Sequence, residues 1–244
     1  MGLSIGIVGL PNVGKSTLFN AMTRAGALVA NYPFATIDPN TGIVEVPDSR
    51  LGALAEVFKP QKITPAVVTF VDIAGLVKGA AEGEGLGNKF LANIRECDAI
   101  AMVVRCFEDA NVTHVSGALD PASDIAVVDY ELMLADLDSV QRRIERTAKA
   151  IDQKRIKDDG ELDVLRRVEK GINDAVPARR LGLTDAEKLL VRELNLLSLK
   201  PVIYVANVAE GDAAATSGGY LDTVAAVAGA EGSSWLAVSA KIES

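Results

Sequence analysis

Histidine and cysteine are scarce in these 244 residues: His114 stands alone, and Cys97 and Cys106 are the only thiols. The cysteines form no C-x-x-C pair and sit near no ligand cluster, so they read as buried apolar residues in a reducing compartment rather than as a metal or redox site. Also missing is any apolar run near the roughly 20 residues needed to cross a bilayer. The chain enters its first strand directly after Met1-Gly2, without a charged, cleavable leader. A cytoplasmic protein without membrane contact is expected. Basic charge is in deficit too: 25 Lys+Arg against 33 Asp+Glu gives a net charge of −8. That argues against a protein that coats nucleic acid over its whole surface, and no specific DNA site is expected. The deficit is uneven. Between Leu137 and Arg192, 14 basic residues meet 11 acidic ones, so the basic excess is confined to one segment.

What the chain does contain begins at Gly9-Leu-Pro-Asn-Val-Gly-Lys-Ser-Thr17, after the apolar run Leu3 to Val8 and before the helical spacing of Leu18 to Arg24. It reads G-x-x-x-x-G-K-S, a phosphate-binding loop. Gly9 and Gly14 allow the backbone angles that turn the N–H groups of Asn12, Val13, Gly14 and their successors inward around a phosphate. The start of the following helix adds its dipole. Lys15 then reaches the β- and γ-oxygens as a point charge, and the Ser16 hydroxyl, with Thr17 beside it, faces an octahedral Mg²⁺.

Asn31-Tyr-Pro-Phe-Ala-Thr-Ile-Asp-Pro-Asn40 carries two prolines and several turn formers, which argue against regular structure. Thr36 in such a loop suits a switch that meets Mg²⁺ and the γ-phosphate only in the triphosphate state. An ordinary connection would look much the same. Thr41 to Val46 alternates as a strand, Ser49 to Phe58 has helical spacing, and Ala66 to Val71 is a second apolar run that delivers Asp72. Asp72-Ile-Ala-Gly75 is D-x-x-G: the aspartate holds the metal through a water and the Gly75 N–H senses the γ-phosphate. The pattern is weak alone and gains force from the phosphate loop before it. Glycines at 79, 83, 85 and 87 follow. Where related hydrolases place a water-orienting glutamine, this chain has Leu76, so hydrolysis is slow or another group positions the water.

Helix Asn88 to Glu96 and strand Ala99 to Val104 lead to the polar stretch with His114, at the ligand-facing edge of an open α/β sheet. His114 is either an ordinary loop residue or the missing water-positioning group. From about Asp124 the pattern turns to charged helices: Ile125 to Lys149, Glu161 to Val176, and Thr184 to Leu197, the last opened by a Thr184/Glu187 capping box. Two antiparallel helices projecting from the globule are expected. Their basic excess marks either a contact with RNA or another acidic partner, or a solvated, salt-bridged pair. Pro201 to Ala206 returns to the sheet and delivers Asn207-Val-Ala-Glu210. Guanine-specific relatives read N-K-x-D here. Val208 and Glu210 remove the lysine stem and the short carboxylate that match guanine. Helix Tyr220 to Gly229 and strand Ser234 to Val238 precede Ser239-Ala240-Lys241, a loop whose N–H groups are expected at the purine edge. With no covering helix after the final strand, the chain reads as part of a longer protein.

The phosphate loop, Asn31 to Thr36, Asp72 to Leu76, the glycine tract to Gly87 and Asn207 to Glu210 together resemble the YchF family, the Obg-like ATPases. The resemblance covers essentially the whole chain and implies a three-layer α/β P-loop NTPase domain, residues 1–136 and 193–244. A coiled-coil insertion, residues 137–192, interrupts it, and a C-terminal TGS domain would follow. It implies ATP as substrate, ADP as product, Mg²⁺ at Ser16, Thr36 and Asp72, and association with the ribosome through the insertion and the absent domain. It also sets Asn12 where some relatives coordinate K⁺. On this reading Asn207, Val208, Glu210, Ser239 and Ala240 surround the base, while Lys15, Thr36, Gly75 and His114 serve hydrolysis. A GTPase of the same fold, or a nucleotide-gated ribosome- or RNA-binding module with incidental hydrolysis, are the alternatives.

Overall fold

The computed structural model describes residues 2–25, 41–72, 86–108, 119–157 and 160–244. Among these residues, aliphatic and β-branched runs form six strands: β1 (Leu3–Val8), β2 (Thr41–Glu45), β3 (Val67–Asp72), β4 (Ala99–Cys106), β5 (Val202–Val208) and β6 (Ser234–Val238). They build one sheet in the order β2-β3-β1-β4-β5-β6, parallel throughout except that β2 runs antiparallel to β3. The central strand β4 is buried from Ile100 to Cys106, as expected of a parallel strand covered on both faces. Cys97 and Cys106 are buried free thiols, and burial pushes the Cys106 thiol up to about 12.

Among the described residues eight α-helices accompany these strands: α1 (Lys15–Ala25), α2 (Ser49–Phe58), α3 (Leu86–Arg95), α4 (Pro121–Asp152), α5 (Glu161–Asn173), α6 (Asp185–Leu190), α7 (Tyr220–Glu231) and α8 (Ala240–Glu243). The strand order reverses at β1, with β3 on one side and β4 on the other. Right-handed crossovers therefore send α1 to one face and α3, α4 and α7 to the other. Contacts of α1 with α8, and of α4 with α7, agree with that division. The reversal opens a crevice at the carboxyl ends of the strands, where α/β sheets bind ligands.

Helix α4 begins four residues before the expected Ile125. Asp120 caps it, its Oδ1 accepting from Ala122 N at 3.1 Å and Ser123 N at 3.3 Å, with Pro121 in the first turn. Its 32 residues span about 48 Å. Ile125, Val128 and Leu132 pack into the core of the sheet. Met133 and Val140 belong to a second core with Val164, Leu165, Val168 and Ile172. The expected boundary at residue 136 therefore falls inside one continuous helix that serves both cores. Helix α5 runs antiparallel to it: Arg143 and Thr147 reach Glu161, and Gln141 Nε2 donates to Glu169 at 3.1 Å.

The expected third helix, Thr184 to Leu197, is shorter than its sequence suggests. The capping box of Thr184 and Glu187 forms, but α6 stops at Leu190 and two 3-10 turns follow, Arg192–Leu194 and Leu197–Leu199. Asn195 at φ 45° breaks the path. The break lets Val191 and Leu196 enter the second core and Leu197 the first, which one regular helical face cannot do.

Candidate nucleotide-binding site

The loop between β1 and α1 needs its glycines for two different close approaches. At Gly9, φ is +150° and a Cβ would collide with the Val103 carbonyl of β4. At Gly14, φ is +97° and a Cβ would collide with Asn207 Nδ2. Asn12 adopts φ 62°, a left-handed conformation that asparagine tolerates better than most residues. Helix α1 then starts at Lys15, with Leu18 N donating to Gly14 O at 3.0 Å and no acidic residue in its first turn. Ser16 and Thr17 are exposed there, at an N-terminus suited to an anion.

Lys15 is only 6% exposed, and its Nζ donates to Leu10 O at 2.7 Å. Burial lowers its pKa to about 8, while the Asp72 carboxylate acts in the opposite direction. Asp72 ends β3 in register with Ile7 of β1. Its Oδ1 is buried without a hydrogen-bond partner, a costly state for a carboxylate oxygen unless a cation or water meets it. That orphaned oxygen, with the exposed Ser16 hydroxyl, is a donor set that fits Mg²⁺: hard oxygens, few in number, leaving positions for phosphate and water.

A cavity of about 540 Å³ continues from the loop along the carboxyl edge, lined by Asn12, Thr17, Phe107, Glu108, Asn207 and Lys241 among others. Asn207, expected to face a base, uses its amide within the protein. Nδ2 donates to Val13 O at 2.8 Å, and Oδ1 accepts from Ala240 N at 3.0 Å. The Ala240 N–H is therefore committed to Asn207 rather than open to a purine. Val208 borders the cavity but is 4% exposed and packs in the core. Glu210 starts a 3-10 turn and pairs with Lys241 at 3.3 Å, both side chains more than half exposed. Ser239 Oγ is buried without a partner.

Thr36, Gly75, Leu76 and His114 lie outside the described residues. Sequence reasoning did not anticipate Phe107 and Glu108 at the cavity, although they follow the carboxyl end of β4 directly. Arg105 stacks on the Phe107 ring at 4.7 Å and its Nε donates to Phe107 O at 3.0 Å. Tyr220 Oη donates to Glu108 at 2.8 Å. These contacts hold the Phe107-Glu108 corner against the cavity.

Residues 4–155 match the family model described as 50S ribosome-binding GTPase. Proteins named ribosome-binding ATPase YchF from Bacillus subtilis and Escherichia coli O157:H7 are each 52% identical to this chain over its whole length, which spans 67% and 66% of theirs. The solved structure of the Schizosaccharomyces pombe YchF GTPase superposes with a TM-score of 0.81 at 37% identity, over 99% of this chain and 66% of that one. With identity at this level over the whole chain, the chain belongs to the YchF family of P-loop proteins, within the 50S ribosome-binding GTPases.

Proposed function

We propose that the chain is a Mg²⁺-dependent ATP-binding and hydrolysing switch that converts ATP to ADP and phosphate slowly on its own and associates with the ribosome in the cytoplasm. The observation that carries this reading is the Asn207 link, which joins the phosphate loop at Val13 to the Ala240 loop. It supports a nucleotide laid along the carboxyl edge, with phosphates at Gly9–Thr17 and the base in the cavity beside Phe107, Val208, Glu210 and Ser239. The relatives named ribosome-binding ATPases supply the choice of ATP and of the ribosome.

In this scheme Lys15 leaves the Leu10 carbonyl to offset γ-phosphate charge. Ser16, Thr36 and Asp72 hold Mg²⁺, which when bound neutralises charge on the phosphate oxygens. The Gly75 N–H reads the γ-phosphate. His114 positions the attacking water in place of the apolar Leu76, and Asn12 takes part in a K⁺ site. The exposed basic residues of the insertion contact the ribosome.

Calorimetric titration of ATP and GTP, each with Mg²⁺, tests the reading. A tenfold preference for ATP, about 1.4 kcal/mol, is the expected result. A second reading, GTP as ligand, is favoured by the names of the family model and of the fission-yeast structure, and tighter GTP binding would establish it. Partner-free turnover at the rate of a metabolic ATPase would contradict the switch.

A further inference from the structure

The sequence leading into α3 carries D-x-x-G, but the other end of that helix is attached elsewhere. Arg95, its last residue, reaches four acceptors on two chain segments. Nη2 donates to Ala135 O at 2.7 Å, and Nη1 to Asp136 Oδ1 at 3.2 Å, Leu194 O at 3.2 Å and Asn195 O at 3.3 Å. Lys200 Nζ donates to the helix-terminal carbonyls, Arg95 O at 3.0 Å and Cys97 O. Ala135 and Asp136 lie on α4 where it passes from the sheet's core to the second core, while Leu194, Asn195 and Lys200 form the exit from the insertion. Both chain crossings at the neck of the insertion are therefore bound to the end of α3.

The neck does not need Arg95 to stay closed. Asp136 is fully buried and already accepts from Leu197 N at 2.9 Å, Ser198 N at 2.8 Å and Ser198 Oγ at 2.7 Å. Burial raises its pKa, those donors oppose the rise, and the Arg95 charge is the weakest influence. Added to a neck that Asp136 already closes, a guanidinium bridging three backbone carbonyls on both crossings ties the end of α3 to each of them.

We propose that Arg95 is a positioning residue that transmits nucleotide state from the α3 end of the site to the helical insertion, with Lys200 holding the helix terminus in register. The proposal rests on the switch reading above. A shift of α3 that follows the γ-phosphate either carries the neck of α4 with it or breaks the Arg95 bonds, since the fork cannot stretch over both segments. By reciprocity, a partner bound to the insertion changes the affinity for ATP by the factor through which ATP changes the partner's affinity.

The test is amide hydrogen exchange on the 244-residue chain with Mg²⁺ and either a non-hydrolysable ATP analogue or ADP, in the wild type, Arg95→Met and Arg95→Lys. Calorimetry on the same samples gives both affinities. The expected wild-type result is a several-fold difference in exchange between the two nucleotides across 137–152 and 161–173. Both variants should lose that difference while binding each nucleotide within about twofold of wild type. Arg95→Lys keeps the charge and fold should Arg95→Met prove unstable. A difference that persists in Arg95→Lys, or wild-type binding of both nucleotides with no difference in the insertion, would overturn the coupling alone. Absence of binding of either nucleotide would overturn it together with the switch.

Discussion

Removing the Asn207 side chain tests whether that residue shapes the cradle or reads the base. In Asn207→Ala, the buried Val13 carbonyl and Ala240 N–H both lose their partner. At about 1–3 kcal/mol for each orphaned group, and with water admitted from the adjoining cavity, the cost should be about 2–4 kcal/mol. That corresponds to a fall of roughly 5–15 °C in melting temperature for a chain of this size. Gly14→Ala should cost about 3–5 kcal/mol, because its new Cβ both sits at positive φ and displaces the same amide. The double variant should not pay twice. With Asn207 truncated, the nearest remaining neighbour of that Cβ is Ala240 Cβ at 3.7 Å, an ordinary contact. Urea unfolding of the four proteins should therefore show about 2 kcal/mol of coupling. Calorimetry on Asn207→Ala should show ATP and GTP affinities falling by similar factors. Costs that add within about 0.5 kcal/mol, or loss of one nucleotide with the other spared, would refute the reasoning and make Asn207 a base-reading group.

Lys15 predicts a pH dependence of the nucleotide-free protein. Its folded pKa of about 8 lies below the ordinary lysine value of 10.5, so between those values the unfolded chain binds the extra proton. The contribution of this group to stability then rises with pH across that window, with a slope of up to about 1.4 kcal/mol per unit, and is flat below it. Lys15→Met should abolish the rise in denaturant titrations at pH 8 to 10. Arg179→Met should lower stability by about 3–5 kcal/mol, because Arg179 Nη2 donates to Asp129 at 2.6 Å and Nε to Glu231 at 2.9 Å, all three largely buried. A loss under 1 kcal/mol would mean that water reaches those carboxylates. Asp72→Ala should leave metal-free ATP binding nearly intact and remove most of the gain from added Mg²⁺, measured by titration with and without chelator. An unchanged gain would take Asp72 out of the metal site.

The elements that were easiest to read in the sequence were those whose signals are local. Ser49–Phe58 and Ser234–Val238 form where spacing and turn residues put them. Asp120-Pro121 marks the start of α4 as a cap and a first-turn proline, a signal that apolar spacing, which sets in only at Ile125, does not carry. The spacing from Thr184 to Leu197 suggests a helix longer than α6 because helical periodicity does not record that Val191, Leu196 and Leu197 divide between two cores. At the site, the loop motif announced Lys15 and Ser16. What Asn207 touches was hidden: its partner Val13 lies 194 residues away, and no pattern along the chain specifies which of two polar ends meets which loop. The Leu10 carbonyl beneath Lys15 was equally invisible, since every residue carries one.

The continuous helix α4 also bears on how the chain assembles. Strand β5 pairs with β4 in register, Ile100 opposite Val202, yet about 95 residues separate the end of one strand from the start of the other. If the insertion folds first, the Asp136 clasp on Leu197 and Ser198 brings together residues 61 and 62 positions apart and shortens the effective loop to about 35 residues. Loop-closure entropy then falls by roughly 0.9 kcal/mol, on top of the gain from a local, helical contact set that forms quickly. The segment that interrupts the sheet in sequence would thus act as the splint that lets its central strands find each other.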